Sequence, residues 1–165
     1  MNRRAFLLSG AAVAAFGGLY AFRPSNVPAE ASEGTFEITY SEAEWRERLS
    51  PNQFAVLREE ATERPYTSEL LYEKREGTYN CAGCAQPLYA SETKYDSGTG
   101  WPSFYEALTD AVGTKRDFKL VLPRTEVHCS RCGGHLGHIF NDGPPPTGMR
   151  HCINGLALTF EAQAA

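Results

Sequence analysis

Two Cys-x-x-Cys pairs restrict the fold of this chain more than any other feature. The first is Cys81-Ala82-Gly83-Cys84 and the second is Cys129-Ser130-Arg131-Cys132. Two residues between the cysteines let both thiolates face one ion, and small residues turn the backbone beneath them. Two such pairs make a closed tetrahedral set, which is typical of structural zinc. The 44 residues between the pairs exceed the usual ribbon spacing, so we expect the site to clamp two distant parts of a sheet.

The alternative for the same four thiols is a pair of disulfides, which an oxidising compartment would favour. A catalytic zinc is disfavoured because four thiolates leave no open coordination position for a substrate. The chain has five cysteines, an odd number, and the fifth, Cys152, stands alone near the C-terminus. This division predicts two separate roles, one for the four paired cysteines and one for Cys152.

The N-terminal segment has the pattern of a targeting signal. Arg3 and Arg4 precede an uncharged apolar stretch from Ala5 to Phe22, and Ala29-Glu30-Ala31 offers a small-x-small cleavage site. This pattern resembles a twin-arginine leader and predicts an exported, periplasmic or extracytoplasmic protein. Such a route carries folded protein, so zinc could bind in the reducing cytoplasm before export. An uncleaved membrane anchor is the alternative.

The chain is predicted to divide into a leader at 1–31, a linker at 32–39 and one domain at 40–165. The net charge is −4 in all, and the leader holds three arginines against one glutamate, so the remainder carries −6. An acidic domain without a basic block is poorly suited to binding phosphate backbones. Nucleic acid is therefore not expected as a partner.

Local patterns predict a small helical start followed by β structure. Ser41 with Glu44, and Ser50 with Gln53, are capping boxes, and Pro51 suits a first helical position. From Leu71 onward, short segments rich in Tyr, Val, Leu and Thr alternate with turn residues. The predicted fold class is mainly β (β-rich α+β), with antiparallel strands behind short N-terminal helices.

Cys152 lies in a segment with strand-like alternation. Period two places Arg150, Cys152 and Asn154 on one face, and we expect one strand to continue that face into the core through Leu156, Leu158 and Phe160. A fixed positive charge beside a thiol favours the thiolate, which is the nucleophilic form. The pattern therefore suggests a catalytic cysteine, and a buried inert cysteine is the alternative.

A histidine-rich strand precedes this segment. Period two places His138, Phe140 and Asp142 on one face, and residues 141–148 form a turn that would return the chain antiparallel beside Cys152. Neutral imidazoles such as those of His135 and His138 are suitable proton donors, because their ordinary pKa lies near neutral pH. The other two histidines, at positions 128 and 151, are interpreted as structural.

A glycine loop, Gly98-Thr99-Gly100-Trp101-Pro102, supplies an aromatic residue. Pro102 biases Trp101 toward an extended conformation, which presents the indole at the end of a turn. Such a ring suits a polarizable methyl-sulfur group. Trp45, by contrast, is expected to pack in the core.

Taken together, these motifs resemble the methionine-R-sulfoxide reductase (MsrB) family over most of the chain, from about residue 40 to 160. The segments that carry the resemblance are Glu63-Arg64-Pro65-Tyr66-Thr67, Cys81-Ala82-Gly83-Cys84, Gly98 to Phe104, His135 to Phe140, and Arg150 to Asn154. One Cys-x-x-Cys is a weak signal, but five motifs in order are specific. The resemblance implies two small antiparallel sheets, one structural zinc, and reduction of the R epimer of methionine sulfoxide, free or in oxidised proteins.

The resemblance also implies residue roles. Cys152 would be the attacking thiolate, with His135 and His138 delivering a proton to the sulfoxide oxygen. Trp101 and Phe140 would form the methyl-binding wall. Asp142, Arg150 and Asn154 would belong to the polar shell, and the zinc ligands would be Cys81, Cys84, Cys129 and Cys132.

The chain departs from the family pattern at one position. Many members carry a resolving cysteine in the glycine loop, where this chain has Thr99. The usual intramolecular disulfide is therefore in doubt, and an external thiol such as a thioredoxin-like protein is expected as the donor. Two other functions are open: a non-catalytic zinc module that binds a peptide, and a thiol peroxidase.

Overall fold

The computed structural model describes residues 36–120 and 122–164, so the leader expected at 1–31 lies outside the described residues. Nine strands form two antiparallel sheets. The strands are β1 (Gly77–Cys81), β2 (Pro87–Ala90), β3 (Lys94–Tyr95), β4 (Ser103–Phe104), β5 (Val112–Asp117), β6 (Arg124–Cys129), β7 (His135–Phe140), β8 (Arg150–Ile153) and β9 (Leu158–Ala162). The smaller sheet has the order β2-β1-β9, and the larger has the order β3-β4-β8-β7-β6-β5. The predicted mainly β class with two sheets is confirmed.

Two short helices precede the sheets, α1 (Glu42–Arg48) and α2 (Pro51–Glu59). Both predicted capping boxes are present: each serine hydroxyl accepts from the third helical N–H, and the Glu44 or Gln53 side chain accepts from the serine N–H. These reciprocal bonds satisfy amide groups that the first helical turn leaves unpaired. No helix in the described part of the chain has both the length and the apolar character needed to cross a membrane.

An aromatic cluster joins the two sheets. The rings of Tyr89 and Phe104 stack with centroids 4.3 Å apart, and Tyr79 meets Phe104 edge-on at 5.0 Å. All three side chains are fully buried. Since Tyr79 and Tyr89 belong to the smaller sheet and Phe104 to the larger one, their packing fixes the two sheets against each other.

The strand expected to run from Arg150 to Phe160 is interrupted, and that expectation is wrong. β8 ends at Ile153, and a 3-10 turn at Gly155–Ala157 carries the chain into β9 of the other sheet. The cause is a buried carboxylate outside the segment: Glu63 accepts hydrogen bonds from the N–H groups of Gly155 at 2.5 Å and Leu156 at 3.0 Å. These amide groups therefore pair with a side chain rather than with a neighbouring strand.

Candidate active site and metal centre

The four paired cysteines converge on one point. Their sulfur atoms all lie within 4.8 Å of one another, with Cys81 and Cys132 3.8 Å apart and Cys84 and Cys129 3.5 Å apart. Tetrahedral zinc, with Zn–S bonds of about 2.3 Å, requires sulfur separations of about 3.8 Å. A disulfide would require about 2 Å. The arrangement therefore fits a four-thiolate metal site and not the disulfide alternative.

The four-cysteine cluster joins the two sheets, whereas the sequence spacing predicted a clamp between two distant parts of one sheet. Cys81 ends β1 of the smaller sheet, and Cys129 ends β6 of the larger sheet. Helix α2 lies over both turns: a Cβ added at Gly134 would meet Leu57 at 3.0 Å, and one added at Gly83 would meet it at 3.6 Å. The absence of side chains at these glycines therefore lets the helix approach the cluster closely.

The last residues of the expected linker also contact this region. The Ile38 N–H donates to the Arg131 carbonyl at 3.0 Å, and the Arg131 guanidinium pairs with Glu37 at 2.7 Å. The Phe36 ring lies against Gly133, where a Cβ would overlap it. Residues 36–38 thus pack on the second Cys-x-x-Cys turn.

A separate cleft surrounds Cys152. It encloses about 120 Å³ and is lined by Thr62, Trp101, Arg124, His138, Phe140, Cys152 and Asn154. The turn after β7 returns the chain antiparallel as predicted, so that Cys152 lies directly opposite His138 on one side and Ser103 on the other. Residues opposite each other in antiparallel strands direct their side chains to the same face. The thiol and the imidazole therefore face one cavity.

The glycine loop places a chain of hydroxyl groups beside the Cys152 thiol. The Thr99 hydroxyl lies 3.8 Å from the Cys152 sulfur, and it is bonded in turn to the Ser97 hydroxyl at 2.8 Å. Ser97 also contacts the buried Ser103 hydroxyl at 2.7 Å. Thr99 thus acts as a hydrogen-bonding group beside the sulfur.

Burial raises the pKa of the Cys152 thiol, although the Thr99 hydrogen bond and the Arg150 charge act in the opposite direction. The expectation that Arg150 favours the thiolate is met only in part. Its guanidinium donates two hydrogen bonds of 2.8 Å to Asp142 and lies 4.3 Å from the Phe140 ring centroid. Arg150 and Asp142 therefore form a pair at the edge of the cleft, and neither lines it.

His138 is held by a carboxylate. Its Nε2 lies 2.7 Å from Asp117, which also pairs with Arg124 at 2.6 Å. Hydrogen bonds from the Lys119 amide and His138 hold the pKa of Asp117 well below its usual range. An ionised carboxylate only accepts, so Nε2 carries the hydrogen and Nδ1 is left for proton exchange. Burial lowers the pKa of His138, and the Asp117 bond opposes this shift.

His135 has its own carboxylate but does not line the cleft. Its Nδ1 lies 2.8 Å from Glu126, which pairs with Lys115 at 3.0 Å. Burial alone would raise the pKa of Glu126, but the bonds to His135 and Lys115 lower it. The His135 ring lies edge-on to His138, with centroids 5.4 Å apart. His135 therefore stands behind His138 as seen from the cleft.

The indole of Trp101 is tied to the segment before the first strand. Its Nε1–H donates to the Glu63 carbonyl at 3.1 Å, and the Glu63 N–H donates to the Asn154 side-chain oxygen at 2.9 Å. The Asn154 amide nitrogen donates to the Leu136 carbonyl at 3.0 Å. Asn154 thus lines the cleft with a side chain whose orientation is fixed by backbone partners.

Five further residues belong to the site and were not predicted: Thr62, Glu63, Asp117, Arg124 and Glu126. Glu63 belongs to the segment Glu63 to Thr67, which carries part of the family resemblance, but no role was predicted for it. The acidic partners of the histidines lie on β5 and β6, and Asp117 pairs with Arg124 across the end of that hairpin. Finding Asp117, Arg124 and Glu126 from the sequence would have required the strand register of residues 112–129.

The two remaining histidines are buried, and His151 contacts the Tyr89 hydroxyl at 3.1 Å on the face opposite Cys152.

Comparison with known proteins gives one family. The model described as "SelR domain" matches residues 49–162, well over half of the chain. This range contains both Cys-x-x-Cys pairs, the glycine loop, the histidine strand and Cys152.

Individual relatives cover most of the chain. It is 52% identical over 127 residues to a protein named peptide methionine sulfoxide reductase MsrB from Methanosarcina barkeri, spanning 76% of this chain and 89% of that protein. The protein of the same name from Agrobacterium fabrum is 50% identical over 126 residues, or 76% and 93%. A chloroplastic peptide methionine sulfoxide reductase B1 from Arabidopsis thaliana is 48% identical over 141 residues, or 85% and 69%.

Proposed function

Since the chain belongs to the methionine-R-sulfoxide reductase (MsrB) family, we propose that it reduces methionine sulfoxide to methionine with Cys152 as nucleophile. The observation that carries the proposal is the cleft in which Cys152 and His138 face each other across adjacent strands, beside Trp101. A non-catalytic peptide-binding module would not need this nucleophile and proton donor, and a peroxidase would not need the indole. Repair of oxidised proteins is the corresponding cellular role.

The proposed reaction transfers one oxygen atom and two electrons. The Cys152 thiolate supplies the electron pair, and the sulfoxide S–O bond breaks as oxygen becomes bonded to the cysteine sulfur. One proton is taken up, so that a thiolate and a sulfoxide yield a sulfenic acid and methionine. The oxygen leaves the substrate sulfur only as it gains a proton, which requires an acid within reach of that oxygen in addition to the thiolate.

His138 is the proposed proton donor. It lines the cleft, and its Nε2–H is directed to Asp117, so its protonated Nδ1 can donate to the sulfoxide oxygen. Asp117 stabilises the imidazolium that must form before each transfer. His135, which is buried behind His138 and bonded to Glu126, is proposed to orient its neighbour and to replace the proton.

The substrate methyl group is proposed to pack between Trp101 and Phe140, with Asn154, Arg150 and Asp142 as polar support. A sulfoxide sulfur is chiral and presents oxygen, methyl and a lone pair to three different walls. If the methyl group lies on the aromatic side and the oxygen at His138, the opposite epimer must exchange these contacts. This asymmetry supports selectivity for one epimer, and membership of the family indicates that it is the R epimer.

Zinc is the proposed metal of the four-cysteine site. Only sulfur ligands are offered, and soft thiolates in tetrahedral arrangement select zinc or iron–sulfur centres over hard cations. Four protein ligands fill the coordination shell, so the metal would stabilise the fold and take no part in the reaction. One ion per chain is proposed.

The electron donor is proposed to be an external thiol, such as a thioredoxin-like protein. A donor dithiol attacks the Cys152 sulfenic acid, releases water, and then closes its own disulfide while Cys152 returns to the thiol. Neither step needs a second cysteine of this chain. Thr99 beside the sulfur offers no thiol for the alternative route.

We also propose that the protein works outside the cytoplasm, directed there by the twin-arginine-like leader at residues 1–31. Replacing Arg3 and Arg4 by lysine should block export, because the receptor reads arginine and not charge alone. Cell fractionation measures the result. Unchanged export of the double variant would indicate a general secretory signal or a membrane anchor.

The function is tested with peptides that contain separated R or S methionine sulfoxide and dithiothreitol as the reductant. We expect turnover of the R peptide only, and none in Cys152→Ser, whose zinc content and thermal melting should match those of the wild type. Equal rates on both epimers would contradict the proposed pocket. Residual turnover in Cys152→Ser would contradict the nucleophile assignment.

A further inference from the structure

A second cavity adjoins the catalytic cleft and is largely apolar. It encloses about 910 Å³, and its apolar wall is formed by Leu120, Leu122, Pro123, Ile139, Phe140 and Met149. Phe140 and Arg124 line both this cavity and the cleft around Cys152, so the two are direct neighbours. We call this cavity the Leu120–Leu122 groove.

The groove coincides with an unusual concentration of exposed apolar side chains. Leu120 is 59% exposed, Leu122 is 77% exposed, and Phe118 nearby is 72% exposed. Seven large apolar side chains are exposed in the described part of the chain, and these three lie in the single connection between β5 and β6. Isolated exposed leucines are ordinary, but a contiguous apolar patch beside an active site marks a binding surface.

The size of the catalytic cleft limits what it can hold. Its volume of about 120 Å³ accommodates about four groups the size of a water molecule. The reacting end of the substrate, CH2–S(O)–CH3, has four heavy atoms and fills this space. The backbone and neighbouring residues of a polypeptide substrate must therefore lie outside the cleft, on its rim.

We propose that the Leu120–Leu122 groove is a subsite for an apolar side chain next to methionine sulfoxide in a polypeptide substrate. The inference rests on the proposed function. Successive Cα atoms are about 3.8 Å apart, so residues one or two positions from the sulfoxide reach past Phe140 into the groove. The cationic group of the wall, Arg124, is already paired with Asp117 at 2.6 Å. The groove therefore offers apolar contact and no unpaired charge among its described residues, and it discriminates against charged or strongly polar neighbours.

The first test compares substrates with the full chain and dithiothreitol as the reductant. Two blocked pentapeptides carry R methionine sulfoxide in the centre, flanked on both sides by leucines or by serines. Acetyl-methionine-R-sulfoxide methylamide is the minimal substrate that ends before the groove. We expect kcat/KM to be about fivefold higher for the leucine peptide than for the serine peptide, the preference produced by partial burial of one leucine side chain.

The second test changes the groove. In the double variant Leu120→Ser, Leu122→Ser, the ratio of kcat/KM for the two peptides should fall to about one, because apolar burial is lost. The matched control is Leu108→Ser, which alters another exposed leucine outside the groove and should keep the wild-type ratio. Circular dichroism and zinc content establish that each variant is folded.

A peptide ratio of about one in the wild type would overturn the subsite, and so would a wild-type ratio in the double variant. If the groove instead receives a protein donor, the double variant would raise the KM for thioredoxin and leave the peptide ratio unchanged, which also refutes the proposal. Failure to reduce even the minimal substrate would refute the proposed function itself. Turnover of that substrate without a peptide preference refutes the subsite alone.

Discussion

At the scale of single residues, the nucleophile is shaped by opposing influences. Burial raises the pKa of Cys152, while Thr99 and Arg150 lower it without reversing the shift. Arg150 is also bonded twice to Asp142, which reduces its effect on the sulfur. Burial therefore favours the thiol form of the resting cysteine. Since the thiolate reacts, the proton must leave Cys152 before or during the attack.

We predict that the oxidised enzyme carries a sulfenic acid and no internal disulfide. The Thr99 hydroxyl of the glycine loop lies 3.8 Å from the Cys152 sulfur, and a hydroxyl cannot form a disulfide bond of about 2 Å. After one turnover without donor, a sulfenic-acid probe and mass mapping should label Cys152. The four other cysteines should remain with zinc.

The variant Thr99→Cys is the matched counterpart. It places a thiol at the same position, so one turnover should then give a disulfide between residues 99 and 152 and no labelled sulfenic acid. A wild-type disulfide from Cys152 to a cysteine of the metal site, with zinc lost, would refute the prediction.

A second prediction concerns pH. The reaction needs a thiolate at Cys152 and a protonated His138. Burial raises the pKa of Cys152 and lowers the pKa of His138. A plot of kcat/KM against pH should then be flat between the two values. It should fall below the lowered pKa of His138 and above the raised pKa of Cys152.

The variant Asp117→Asn tests whether His138 causes the fall of kcat/KM at low pH, which we call the acid limb. The Asp117 bond raises the pKa of His138, so its removal should move the acid limb to lower pH. Glu126→Gln, which changes the partner of His135 instead, is the control and should move that limb less. An unchanged acid limb in Asp117→Asn would assign the limb to another group.

At the scale of secondary structure elements, the site depends on close pairing of β7 and β8. Gly137 lies opposite Ile153 in this pairing, and a Cβ at Gly137 would overlap the carbonyl oxygen of Cys152. The glycine therefore allows the approach that sets Cys152 beside His138. β8 ends at Ile153, so the nucleophile lies one residue before the end of its strand.

We predict that Gly137→Ala destabilises the fold by at least about 2 kcal/mol, because backbone must move to relieve the overlap. It should also lower kcat more than KM, since the thiol and the imidazole separate. Urea unfolding and steady-state kinetics measure both effects. Gly148→Ala is the comparison: it has a positive φ of 71° but no atom within 4 Å of the added Cβ, and it should cost about 1 kcal/mol without the kinetic effect. Equal behaviour of the two variants would contradict this explanation.

At the scale of the whole molecule, two sheets are held together by the aromatic cluster and by the metal site. Cys81 and Cys129 end strands that belong to different sheets, so an ion bound by the four cysteines would connect the two sheets directly. Structural zinc contributes on the order of 10 kcal/mol in small zinc domains, which is comparable with the entire stability of a domain of this size.

We therefore predict that removal of zinc abolishes cooperative folding. Chelation with EDTA under mildly denaturing conditions should eliminate the thermal transition, and added zinc should restore it. Cys152→Ser, which changes a thiol outside the metal site, should retain the metal and the wild-type Tm. Metal-free protein with an unchanged Tm would refute the structural role.

The sequence alone determined the features that depend on neighbours along the chain. Capping boxes, the turn after β7 and the Cys-x-x-Cys spacing involve residues a few positions apart, and local geometry sets their structure. The sequence also predicted that the Cys152 strand runs antiparallel beside the histidine strand, but the register that sets His138 opposite Cys152 came from the structure.

Only the tertiary structure decided which residues complete the site. Asp117 and Glu126 reach the histidines, and Arg124 reaches Asp117, through the register of β5 and β6. Glu63 ends the Cys152 strand from a segment about 90 residues earlier. Such contacts depend on how sheets pack and on which buried polar groups find partners, and no local pattern encodes that choice. His138 and not His135 enters the cleft for the same reason. The carboxylate that each histidine binds lies on another strand, and packing of the whole sheet decides which ring faces the thiol.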